Sequence, residues 1–137
     1  MTKWAASLIR IANYEVETLQ KRLGEIAARR QDAEIRLAML DAEGEAEMLR
    51  AQSDANAGWY MVGYTQGLTV RKAQIQTQID SIKVEESGAR DALSRAFEEL
   101  KKYEQVAENA QVARQKKSDA IETAQMDEMG LRKSGTR

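Results

Sequence analysis

The sequence predicts an all-α protein, an antiparallel two-helix coiled-coil hairpin. Three observations predict it. None of the 137 residues is proline, so no position removes a backbone donor or clashes with the preceding turn. Apolar residues recur at heptad spacing along two long stretches. Between them lies AGWYMVGYTQGLT, residues 57–69, with three of the eight glycines (Gly58, Gly63, Gly67) and the aromatics Trp59, Tyr60 and Tyr64. The reading is a single coiled-coil domain over 1–137: arm one about 3–56, a Gly/aromatic tip 57–69, arm two about 70–129 and a flexible tail 130–137.

In arm one, Ile9, Val16, Leu23, Arg30, Leu37 and Gly44 sit seven apart. Ala12, Leu19, Ile26, Ala33 and Leu40 form a second row three residues later. Together they make an a/d seam with one charged position, Arg30. Gly24 weakens the helix locally by about 1 kcal/mol relative to alanine. After Leu40 the seam loosens through DAEGEAE, and Ser53, Asp54, Asn56 and Gly58 are helix-ending types, so the first helix ends near there.

In arm two, Ile79, Glu86, Leu93, Leu100, Ala107, Arg114 and Ile121 form one row. Ile75, Ile82, Ala89, Ala96, Tyr103, Ala110, Lys117 and Ala124 form the other. Ser87 and Gly88 mark a place for a bend. The ending GLRKSGTR reads as frayed. Folding the chain about Gly63 sets Val16 against Ala110, Leu19 against Ala107, Ile26 against Leu100, Ala33 against Leu93 and Leu37 against Ala89. Large faces small in most layers, which fills a narrow seam. A one-heptad shift gives a second match, and both registers put the reversal within 57–69.

Composition narrows the function. There is no cysteine and no histidine, so disulfides, the commonest zinc ligands and Cys–His or Ser–His–Asp nucleophiles are not available. Paired carboxylates need a pocket to shift their pKa values, and a thin rod offers few. No GxxxxGK phosphate loop occurs. The expectation is a protein without enzymatic activity, cofactor or bound metal. A net charge of −1 gives no bulk attraction to nucleic acid. The apolar run of MTKWAASLIRIANY is cut by Arg10, and nothing approaches a membrane span, which points to the cytoplasm.

Several residues invite a functional reading. Trp59, Tyr60 and Tyr64 either shield the open end of the seam or form a docking surface, since Trp and Tyr are favoured in binding hot spots. Arg30 most simply lays its stem on the seam and sends its head to water, the alternative being that it fixes the register. Arg114 and Lys117, in the basic group RQKK, stand opposite Ala12 and Ile9 in the Gly63-centred register. That end of the hairpin is either splayed and solvated or completed by a partner. Asp41, Glu43, Glu45 and Glu47 spread around the helix, as charges serving solubility do, the alternative being a partner with a basic groove.

LQKRLGEI (19–26), AEIRLAML (33–40) and FEELKKYE (97–104) resemble the FliJ family of flagellar type III export proteins, and the likeness runs over nearly the whole chain. The resemblance implies a cytoplasmic antiparallel coiled coil, similar to the gamma-subunit stalk of rotary ATPases and peripheral to the inner membrane at the flagellar base. It implies three partners: the hexameric export ATPase, the membrane export gate and export chaperones. The ATPase side would use Ile9, Ala12, Arg114 and Lys117. The gate side would use Arg36, Leu40, Glu43 and Glu47, with Trp59, Tyr64 and Leu68. Some members carry aromatics where this chain has Glu43 and Glu47. The alternatives are a generic coiled-coil scaffold or export chaperone/holdase, and a peripheral membrane protein anchored by Trp4, Leu8 and Ile11.

Overall fold

A computed structural model describes residues 3–135. Two helices account for nearly all of them: α1 (Lys3–Gln52) and α2 (Gly58–Gly135). Neither helix contains a proline, and helix-favouring Ala, Glu, Gln, Lys, Arg and Leu dominate both. No strand occurs among the described residues. The all-α helical hairpin read from the sequence is the fold.

The reversal occupies residues 53–57, and polar side chains build it. Ser53 donates from both its amide and its hydroxyl to the Arg50 carbonyl, at 3.3 and 2.9 Å. The Asp54 carboxylate accepts the Asn56 amide at 3.0 Å, an Asx turn, and the Asp54 carbonyl accepts the Ala57 amide at 3.2 Å. No described residue has positive φ, so the turn needs no glycine conformation. The Gly/aromatic segment adjoins this turn as the opening of α2. It does not itself reverse the chain, and the turn-forming Ser, Asp and Asn decide the position instead.

This corrects the register. As α1 advances from Arg30 to Asp41 to Glu47, its α2 partners step back from Glu86 to Lys72 to Tyr60. Ile26 and Ala33 pack in one cluster with Ile79, Ile82 and Ala89, and not with Leu100 and Leu93. The pairing lies two heptads from the one centred on Gly63. Both registers keep every seam residue on the inner face, so heptad periodicity alone does not separate them. α2 is continuous to Gly135, and residues 136–137 of the expected tail lie outside the described residues.

The chain divides into two compact units. The turn unit is Thr18–Leu93, and the terminal unit joins residues up to Glu17 with those from Ser94 onward. In the turn unit, the core is Ile26, Ala33, Ile79, Ile82 and Ala89, with Leu23, Leu37 and Ile75 packed against it. Glu86 is buried in the same seam, at 4 % exposure. Arg30 does not send its head to water. Its Nε donates to both Glu86 carboxylate oxygens, and its Nη1 reaches Glu34 on the same helix. These hydrogen bonds, Glu86 first, raise the Arg30 pKa above its ordinary value.

In the terminal unit, Ala5, Ala12 and Val16 on α1 and Leu100 and Ala107 on α2 are buried. The 3–4 alternation of covered positions on α2 continues to Ala110 and then stops, and residues 111–135 are all exposed. At 78 residues, α2 outlasts the 50 of α1.

Candidate docking surfaces

Heptad packing turns the seam inward and leaves grooves along its edges. In the turn unit, one open groove is lined by Arg36, Met39, Leu40, Glu43, Arg71 and Ile75. Met39 supplies an exposed apolar wall and Leu40 a half-buried one, between the charges of Arg36, Glu43 and Arg71. A second groove is bordered by Asp41, Gly44, Met48, Tyr64, Leu68 and Lys72. The sequence-predicted gate residues are thus split: Arg36, Leu40 and Glu43 share the first groove, and Tyr64 and Leu68 share the second.

Gly44 and Leu68 explain how the second groove is shaped. A Cβ added at Gly44 would stand 2.5 Å from Leu68 Cδ2, so the absent side chain is what admits Leu68. The Tyr64 hydroxyl beside them is buried and has no hydrogen-bond partner in the protein. Lys72 and Asp41 bridge the two helices as an ion pair at the rim.

Next to the turn, Tyr60 donates from its hydroxyl to Glu47 at 3.4 Å, and Glu47 also pairs with Arg50 at 3.2 Å. Burial raises the Tyr60 pKa first, and the negative charges of Glu47 and Asp54 add to it. Trp59 stands edge-on to Tyr60 with ring centroids 5.9 Å apart, and at 83 % exposure it projects into solvent. Of the two readings of the aromatics, Tyr60 and Tyr64 cover the seam, whereas Trp59 is outward. Glu43 is exposed and Glu47 half-buried.

In the terminal unit, the four predicted residues do not form one patch. Ile9 is half-buried and Ala12 buried in the α1 seam, while Arg114 and Lys117 are exposed on the stretch beyond Ala110. They do not face each other, because the chain reverses before Gly63 and α2 outlasts α1. Trp4 and Ile11 are exposed and Leu8 is half-buried.

Sequence reasoning missed Glu86 as the partner of Arg30 and Gly44 as the space for Leu68. Both carried a signal: an acidic residue in one seam row against a basic one in the other, and a side-chain-free position in an a row. No group of three or more metal-ligating side chains stands together among the described residues, and no helix there is long and apolar enough to cross a membrane.

Two long paired helices with grooves along the seam and an exposed C-terminal stretch of α2 define an all-α helical hairpin. A family model described as Flagellar FliJ protein matches residues 6–137. Two Flagellar FliJ proteins of Caulobacter vibrioides, from strains NA1000 / CB15N and ATCC 19089 / CIP 103742 / CB 15, are each 60 % identical over 134 residues, covering 98 % of this chain and 96 % of the relative. No solved structure matches the chain. The chain belongs to the FliJ family and is a component of flagellar protein export.

Proposed function

We propose that this chain is a non-enzymatic stalk and coupling component of the cytoplasmic export apparatus at the flagellar base. Its terminal unit docks into the hexameric export ATPase, and its turn unit docks onto the membrane export gate. Nucleotide hydrolysis belongs to the ATPase. The observation that carries the reading is the exposed α2 stretch 111–135 with its basic group at 114–117. A bare helix of this kind offers a ring-shaped partner a slender insert whose positive charge is concentrated in the group 114–117, with Arg114 and Lys117 among its cations. Ile9 and Ala12 act from inside the seam, by holding the base of that helix.

On the turn unit, the grooves supply what a gate protein needs to grip. Met39 and Leu40 give apolar contact between Arg36 and Glu43, Trp59 is an exposed aromatic anchor, and Tyr64 and Leu68 border the second groove. Glu47 holds Tyr60 in place. Export chaperones, as helical clients, suit the same grooves. Adding the purified chain to the flagellar export ATPase tests the reading: bound complex and faster ATP hydrolysis are expected. Absence of both favours a generic coiled-coil scaffold.

A further inference from the structure

The seam rows of α2 do not end where their cover ends. Beyond Ala110 they continue as Arg114, Lys117, Ile121, Ala124, Glu128 and Leu131, at the same alternating spacing of three and four. All six are exposed, Ile121 at 52 % and Leu131 at 73 %. This is a coiled-coil face in direct continuity with the covered seam of the terminal unit.

We propose that this face pairs with the same face of a second copy of the chain, in antiparallel orientation, about a two-fold axis between residues 122 and 123. In that arrangement Ile121 meets Ala124, Lys117 meets Glu128 and Arg114 lays its stem on Leu131. Each contact occurs twice, as a two-fold interface requires. Large faces small in the central layer, and opposite charges meet in the layers flanking it. Glu128 already accepts from Arg132 on its own helix through Oε1, at 3.1 Å, so Oε2 is the atom presented to Lys117 of the second copy.

Charge selects this pairing over its rivals. A parallel dimer would stack Arg114, Lys117 and Glu128 each against its own copy, and like charges in a seam are repulsive. An antiparallel shift of one heptad sets Glu128 against Ala110 in one direction and against Ala124 in the other, and its charge is then unpaired. The central register satisfies both signs. The apolar content is modest, so the dimer is weak and concentration-dependent. The inference does not rest on the ATPase reading, and its test uses the purified chain alone.

Sedimentation of the full chain over a wide concentration range is expected to show a monomer–dimer equilibrium. Lys117→Glu or Glu128→Lys alone weakens it at least tenfold, and the double exchange Lys117→Glu/Glu128→Lys restores it. Both positions are exposed, so folding is preserved, which unchanged circular dichroism verifies. The chain has no native cysteine, which permits a second readout. Oxidising a mixture of Arg114→Cys and Leu131→Cys chains gives the mixed disulfide. Neither variant joins to itself, since identical positions would lie roughly 25 Å apart at 1.5 Å rise per residue. A monomer at every concentration, a dimer indifferent to charge reversal, or self-joined Arg114→Cys chains would each overturn the proposal.

Discussion

Arg30 and Glu86 close an ion pair inside the seam of the turn unit, with Arg30 Nε 3.0 Å from Glu86 Oε2 and 3.2 Å from Oε1. Glu86 is 4 % exposed, and Arg90 on its own helix supplies a second cation at 3.3 Å. A buried carboxylate is tolerable only where cations meet it. In the Gly63-centred register Glu86 would face Leu40 and Arg30 would face Ala96. The pair therefore discriminates between two registers that apolar packing leaves nearly equal. Arg30→Met, which leaves the buried Glu86 with Arg90 alone, is expected to lower the urea midpoint. The double variant Arg30→Met/Glu86→Leu recovers it, because apolar replacements of buried pairs are often neutral or stabilising. Cysteines placed at Ala33 and Ile79 report the register. They cross-link in wild type, and less uniformly in the double variant.

The apolar layers carry the stability. Ile26 and Ile79 are each 2 % exposed within one cluster, so truncating either to alanine is expected to cost about 2–5 kcal/mol. Val84 is 74 % exposed on the outer face, and Val84→Ala should change stability by less than about 0.5 kcal/mol. Denaturant unfolding of the three variants checks the contrast.

Two glycines in α1 should respond in opposite directions. Nothing lies within 4 Å of a Cβ added at Gly24, so Gly24→Ala is expected to stabilise by up to about 1 kcal/mol through helix propensity. At Gly44 an added side chain meets Leu68, and Gly44→Val is expected to destabilise by about 1–3 kcal/mol through overpacking. Thermal unfolding separates the two.

Tyr60 predicts a pH effect. Its pKa is raised in the folded chain, first by burial and then by Glu47 and Asp54, so the fold favours the neutral phenol. That contribution is complete below the ordinary tyrosine value of about 10 and is lost as pH rises through the higher folded value. Tyr103, raised by its hydrogen bond with Glu99, behaves likewise. Ultraviolet titration should therefore show late phenolate absorbance, and Tyr60→Phe should remove part of it.

The fold was legible because heptad rows encode it directly. Every a and d position from Ala5 to Ala51 is buried or half-buried. The end of α1 was also legible, in Ser53, Asp54 and Asn56. The register was not, since Ile26 packs as well against a Leu as against an Ile, and the discriminating pair sits 56 residues, eight heptads, apart in sequence. The glycines of 57–69 drew the turn away from its true place because Gly permits reversal without requiring it. The docking surfaces were legible only as neighbourhoods. Arg36, Leu40 and Glu43 share a groove, but Arg114 and Lys117 lost their assigned neighbours once the register moved.

The most direct test of the central claim is a side-by-side binding measurement with the export ATPase and the cytoplasmic part of the export gate. Arg114→Glu/Lys117→Glu alters the terminal unit, and Arg36→Glu/Trp59→Ala alters the turn unit. All four sites are exposed, so both variants should fold. The first is expected to lose the ATPase and keep the gate, and the second to keep the ATPase and lose the gate. Wild-type chain that binds neither partner, or two variants that lose the same one, would contradict the assignment of one partner to each unit.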